Sequence, residues 1–235
     1  MKKLAVITGG TKGIGKALIE VFAAEGFSIA TCSRNENDLK SLKQQISTVY
    51  PDISFFYRQA DLSEKEQVIA FAEMIKRTNL PVEILINNSG LFIPGQVHQE
   101  EEGALEQMIN TNLYSAYHLT RALIRPMIER KSGHIFNMCS TASIMAYVNG
   151  GSYGIAKFAL LGFSKVLREE MKEHNIRVTS VLPGATYTAS WEGTELPQER
   201  FMKAEDVADT VLAAYKLSDR AVMEEVLLRP QLGDI

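Results

Sequence analysis

Leu4-Ala5-Val6-Ile7-Thr8-Gly9-Gly10-Thr11-Lys12-Gly13-Ile14-Gly15 is a short apolar run that breaks into glycines and then resumes with helical periodicity. Glycine lets the chain turn tightly and lets backbone come close to another group. The unsatisfied amides of a helix N-terminus favour an anion. A strand, a glycine-rich turn and a helix start, in that order, therefore make a pyrophosphate cradle. A plain glycine-rich turn would use the same letters, so the rest of the chain has to decide.

Outward from this stretch, apolar β-branched runs alternate with longer helical patterns. Strands are expected at 4–8, 28–32, 53–58, 82–87, 134–139, 177–182 and 223–228, and helices at about 13–25, 36–48, 63–77, 100–130, 153–174 and 204–217. Such alternation implies an α/β fold, with seven mostly parallel strands and helices on both faces of the sheet. No repeat, low-complexity tract or linker interrupts it, so one domain over 1–235 is expected. The least regular segment, 183–203, carries Pro183, Gly184, Gly193 and Pro197 and is expected to act as a lid.

Composition removes several function classes. The chain has 235 residues, 46% of them hydrophobic, and a formal net charge of −3 with 25 basic and 28 acidic side chains. Mixed charge of this kind is not the basic stripe of a nucleic-acid binder. The uncharged run 132–156 is broken by Ser, Thr, Asn and Gly, which argues against a membrane span. Too few apolar residues precede Thr8 for a secretory leader, so a cytoplasmic protein is expected. Cys32 and Cys139 fit no disulfide framework or zinc spacing, and the four histidines show no ligand spacing, so no metal is expected.

Four polar or glycine clusters each directly follow an expected strand: Gly9–Gly15, Asn87-Asn88-Ser89-Gly90, Ser140 and Pro183-Gly184. In open parallel sheets that rim is where ligands bind. Tyr153 and Lys157 are spaced i, i+4 and so share one helix face. A neighbouring ammonium favours the phenolate and is expected to lower the tyrosine pKa toward the working pH of a general acid–base group. Asn112 falls within an apolar stripe formed by Leu105, Met108, Ile109, Leu113, Ala116, Leu119 and Leu123. A buried amide there must either satisfy backbone or join a polar network. The second strand ends Thr31-Cys32-Ser33-Arg34, without the acid that NAD binders use for the ribose hydroxyls. Arg34 and Lys12 are both basic and suit a 2′-phosphate, so NADP(H) is the expected cofactor. Asp61, in Ala60-Asp61-Leu62-Ser63, reads equally well as a helix cap.

Together these motifs resemble the short-chain dehydrogenase/reductase family over nearly the whole chain. They are the Gly-x3-Gly-x-Gly turn, Asn-Asn-Ser-Gly, the serine thirteen residues before Tyr-x3-Lys, and Pro-Gly after the sixth strand. The resemblance implies a Rossmann-type fold and a catalytic set of Asn112, Ser140, Tyr153 and Lys157. Gly9, Thr11, Lys12, Gly13, Ile14, Gly15, Ser33, Arg34, Asp61, Leu62, Asn88, Gly90, Pro183, Gly184, Thr186 and Thr188 would bind the cofactor together with Tyr153 and Lys157. Within the family, Pro183-Gly184-Ala185-Thr186-Tyr187-Thr188, Trp191 and the ending Glu224-Glu225-Val226-Leu227-Leu228-Arg229-Pro230 with Gly233-Asp234-Ile235 resemble bacterial sepiapterin-reductase-type enzymes. That implies a small ketone or dicarbonyl substrate held by Ser140, Tyr153 and Trp191. Alternatives are reduction of a 3-oxoacyl group on an acyl carrier protein, docked at Arg121, Arg125, Arg130 and Lys131, or non-catalytic sensing of NADP. Trp191 could stack on a flat substrate or simply pack the lid down. The helix bearing Tyr153 is apolar almost all round, with Leu160, Leu161 and Leu167 on one stripe and Ile155, Phe158, Phe163 and Val166 elsewhere. A helix apolar on every side must be buried on every side, which calls for a homodimer or homotetramer.

Overall fold

In the computed structural model, which describes residues 2–188, 191 and 193–235, seven parallel strands form one sheet in the order β3-β2-β1-β4-β5-β6-β7. The strands are β1 (Leu4–Thr8), β2 (Ser28–Ser33), β3 (Phe55–Gln59), β4 (Val82–Asn87), β5 (His134–Met138), β6 (Arg177–Pro183) and β7 (Glu225–Leu228). Seven helices connect or follow them: α1 (Gly13–Ala24), α2 (Glu36–Val49), α3 (Lys65–Lys76), α4 (Ala104–Ile109), α5 (Ser115–Arg130), α6 (Gly151–Met171) and α7 (Ala204–Lys216).

The two-residue period of a strand builds two cores at once. In β1, Ala5 and Ile7 pack with Phe22 of α1 and with Val207 and Val211 of α7. Leu4 and Val6 point to the other face, with Phe71 of α3 and Leu123 of α5. Burial on both faces explains why all five β1 residues are apolar or small and buried. Phe22, Phe71 and Phe136 are fully buried, each contributing about 1.5–3 kcal/mol. Asn35 starts α2 by accepting the Asn37 and Asp38 amides on its side-chain oxygen. The N-terminus of α1 has no side-chain cap and no acid in its first turn.

Three expected elements need correction. The helix expected over 100–130 begins only at Ala104, because Gly103 sits at φ +87°, outside the helical region. It is then interrupted by a π-helical turn over Asn110–Tyr114 before α5 continues. The third and seventh strands each begin two residues later than expected, at Phe55 and Glu225. Strand order reverses between β1 and β4, which opens a crevice beyond their carboxyl ends.

Candidate active site

At that crevice the loops after β1 and β4 are stitched together. The Thr8 hydroxyl accepts the amides of Asn88 and Ser89, both at 2.9 Å, and the Asn88 side chain donates to the Thr8 carbonyl at 2.8 Å. Gly9 turns the chain at φ +65°, a conformation that other residues seldom adopt. Gly15 lies so close to the Gly9 carbonyl that any Cβ there would overlap it. The uncapped amides of α1 thus face a cleft of about 400 Å³ lined by Thr11, Lys12, Ser33, Arg34, Asp61 and Leu62. Lys12 is 3.9 Å from Asp38, and both side chains are open to solvent. Asp61 takes the Ser63 amide at 3.0 Å and its hydroxyl at 2.8 Å, so it caps the turn ahead of α3 while also lining the cleft.

A second cleft of about 390 Å³ adjoins the first and shares Ile14, Asn88, Gly90, Leu91 and Thr188 with it. Asn112, Ser140, Tyr153, Lys157, Pro183, Gly184, Thr186 and Trp191 line this second space. Every residue expected to bind cofactor or substrate therefore borders one cleft or the other. Of the irregular segment 183–203, Ala189, Ser190 and Glu192 lie outside the described residues.

The chemistry differs from the sequence expectation at one point. Burial raises the Tyr153 phenol above its ordinary value of 10.0, and the nearby Ser140 hydroxyl only partly offsets that. Lys157 is itself desolvated, which pulls its ammonium down to about 8. It donates to the Met138 carbonyl at 2.8 Å, with Nζ 5.7 Å from the centre of the Tyr153 ring. The expected depression of Tyr153 by Lys157 is absent because burial of the phenol dominates. At neutral pH the site holds a protonated phenol and a largely protonated lysine. Ser140 accepts the Ala142 amide at 3.1 Å, which leaves its own proton available for an oxygen in the cleft.

Asn112 resolves toward backbone satisfaction. Its side chain accepts the Leu91 amide at 3.1 Å and donates to the Leu91 and Met108 carbonyls at 2.9 and 3.0 Å. The π-helical turn places it there, and Gly90 lies between its oxygen and the Lys157 ammonium. Trp191 lines the cleft and packs against Phe201, with ring centres 4.9 Å apart. Of the basic cluster, Arg121 donates to the Tyr117 hydroxyl, Arg125 pairs with Glu129, and Arg130 donates to the Val82 and Pro126 carbonyls.

Sequence reasoning missed Phe92, Met145, Tyr147, Asp234 and Ile235, which also line the substrate-sized cleft. All come from irregular segments, where no periodicity marks a facing side. An available signal was the run of apolar and aromatic residues, Ile144 to Val148, between Ser140 and Tyr153.

Comparison with known proteins adds a family. A profile of the family described as short chain dehydrogenase matches residues 3–198. A sepiapterin reductase of Chlorobaculum tepidum is 33% identical over 245 residues, spanning 100% of this chain and 99% of the relative. A 3-oxoacyl-(acyl-carrier-protein) reductase of Chlamydia muridarum is 31% identical, over 82% of this chain and 77% of its own. Among solved structures, a metagenomic short-chain oxidoreductase in complex with NADP superposes with a TM-score of 0.84 at 28% identity, covering 97% of both chains.

Proposed function

The chain belongs to the short chain dehydrogenase family, and we propose that it is an NADPH-dependent reductase of a small ketone or dicarbonyl compound of the sepiapterin type. The glycine cradle supports the cofactor assignment, since the Gly9 turn and the absent Cβ of Gly15 leave the α1 amides open to a pyrophosphate. Arg34 and Lys12, at a β2 end that carries no acid, suit the 2′-phosphate. Asp61 and Leu62 border the same cleft toward its adenine side, and Thr186 and Thr188 border the shared end. When bound, the nicotinamide supplies the hydride.

The observation that carries the reading is a buried, protonated Tyr153 beside the Ser140 hydroxyl. Ser140 and Tyr153 donate to the substrate oxygen, and Tyr153 gives up its proton as that oxygen gains charge. The Lys157 ammonium, close to the phenol ring, stabilises the phenolate left behind. One hydride and one proton turn the carbonyl into an alcohol.

A space of about 390 Å³ walled by Phe92, Tyr147 and Trp191 suits a compact flat molecule, and the Asp234 carboxylate can accept N–H groups of a heterocycle. The same family and fold with a silent site would lack one of the four polar side chains, and all four are present. Ile155, Phe158 and Val166 form an exposed apolar face on α6, which we assign to a homodimer or homotetramer contact.

The test is a panel of sepiapterin, small aliphatic diketones and acetoacetyl thioesters, read as NADPH consumption. Sepiapterin should be reduced with the highest kcat/KM, and Trp191→Ala should raise its KM much more than that of an aliphatic diketone. Efficient turnover of carrier-bound acetoacetyl groups, with none of sepiapterin, would establish the carrier-linked alternative instead.

A further inference from the structure

The loop from Leu91 to Gly103 crosses the mouth of the substrate cleft and is fastened at two places. At its start, Asn112 holds both the amide and the carbonyl of Leu91. At its far end, Glu100 reaches across 52 residues of sequence to the first turn of α6, where its carboxylate accepts the Ser152 amide at 2.8 Å and the Ser152 hydroxyl. Between these fastenings the Phe92 ring meets the Tyr153 ring edge-on, with centres 4.9 Å apart. The backbone repeats the join, with the Gly95 amide donating to the Asn149 carbonyl at 3.1 Å and Gly95 bridging Gly150.

Two glycines make the approach possible. A Cβ at Gly151 would overlap the Glu100 carboxylate, and one at Gly95 would press on the Glu100 side chain at 2.6 Å. Gly151, the first residue of α6, sits at φ +21°, a backbone conformation that residues with a Cβ rarely adopt. A negative group at the N-terminus of α6 is also favoured by the helix dipole. The Ser152 bonds hold the Glu100 carboxyl below its ordinary value of 4.5, so the carboxylate keeps its charge at neutral pH.

We propose that Glu100 is a positioning residue for the reaction: by clamping the 91–103 loop to the first turn of α6 it fixes the rotamer of Tyr153 between that turn and Phe92. The proposal rests on the reductase reading only for its kinetic consequence. Glu100 touches neither substrate nor cofactor cleft. A plain helix cap would add stability wherever it stood. A clamp on this helix must instead change the step in which Tyr153 gives up its proton.

The experiment compares Glu100→Ala and Glu100→Gln with Asp206→Ala, which removes the bond from the Lys203 amide at the start of α7, away from the catalytic residues. Glu100→Ala should lower kcat by about tenfold to a hundredfold, the scale of a misplaced catalytic group, with NADPH affinity unchanged. Its primary isotope effect with 4-deuterated NADPH should rise as the chemical step becomes more rate-limiting. Glu100→Gln, which keeps an acceptor for the Ser152 amide, should recover part of the loss, and Asp206→Ala should keep wild-type kcat. Amide exchange over residues 151–155 should quicken in Glu100→Ala. Wild-type kcat and isotope effect in Glu100→Ala, or an equal loss of kcat in Asp206→Ala, would overturn the clamp. Should the wild-type protein reduce no carbonyl, the reductase reading fails by itself. Exchange at 151–155 then decides the clamp, with unchanged rates overturning it.

Discussion

Lys157 sits in an environment far from what its letter suggests. Burial brings its pKa from 10.5 to about 8, so its charge is lost within a workable pH range. Under the proposed mechanism the ammonium stabilises the phenolate, and kcat for carbonyl reduction should fall as pH rises through about 8. The linkage for stability has a definite sign. Between about 8 and 10.5 the unfolded chain binds a proton that the folded one does not, so stability rises with pH across that window. Below it both states are protonated, and the fold bears the full cost of burying the ammonium. Measured by thermal unfolding, the difference between wild type and Lys157→Met should therefore shift toward wild type as pH rises from about 8 to 10.5. A difference independent of pH would show that Lys157 is not desolvated as described. Tyr153 shows the limit of spacing arguments. An i, i+4 pair places two side chains on one face, but only the packing around them says which pKa effect wins.

At the scale of elements, the glycine turn and α1 work as a unit. Gly15→Ala would drive a methyl group into the Gly9 carbonyl, so the turn must open and the cradle with it. NADPH affinity should fall at least tenfold, measured by fluorescence titration, while the sheet still folds because β1 and α1 keep their core side chains. Unchanged affinity in Gly15→Ala would place the pyrophosphate elsewhere. The alternation of strands and helices was legible in the sequence because the inner strands are buried on both faces and the helices on one, as β1 and its partners α1, α3, α5 and α7 show. Gly9–Gly15, Asn88 and Ser140 were legible because residues that end strands of a parallel sheet converge on one rim. The π-helical turn at Asn110–Tyr114 was not, since its letters keep an apolar stripe of ordinary helical period and a one-residue change of backbone bonding leaves no mark in them. Glu100 was hidden for a related reason. It falls at the start of the helix expected over 100–130, where an acid reads as an ordinary first-turn charge, and its partner Ser152 is distant in sequence.

For the whole molecule, Ile155, Phe158 and Val166 are exposed on α6, as are Leu105 on α4 and Tyr114 in the π-helical turn, two elements that pack against α6. Large apolar side chains clustered on two adjacent helices mark an association surface. Light scattering at micromolar concentration should give at least twice the 26.1 kDa chain mass, and Phe158→Glu should reduce it toward one chain. A monomer in the wild type would leave that face to some other partner. No helix among the described residues is long and apolar enough to cross a membrane, so this face is not a spanning segment. The two clefts lie along the carboxyl ends of the strands, bordered by Asn88, Ser140 and Pro183.

The most direct measurement is single-turnover oxidation of prebound NADPH by sepiapterin, in wild type and in Tyr153→Phe. Loss of the general acid should slow this step by about 10²–10⁴-fold, with NADPH affinity unchanged. Oxidation at the wild-type rate in Tyr153→Phe would mean that the proton comes from another group, contradicting the role given to the buried phenol.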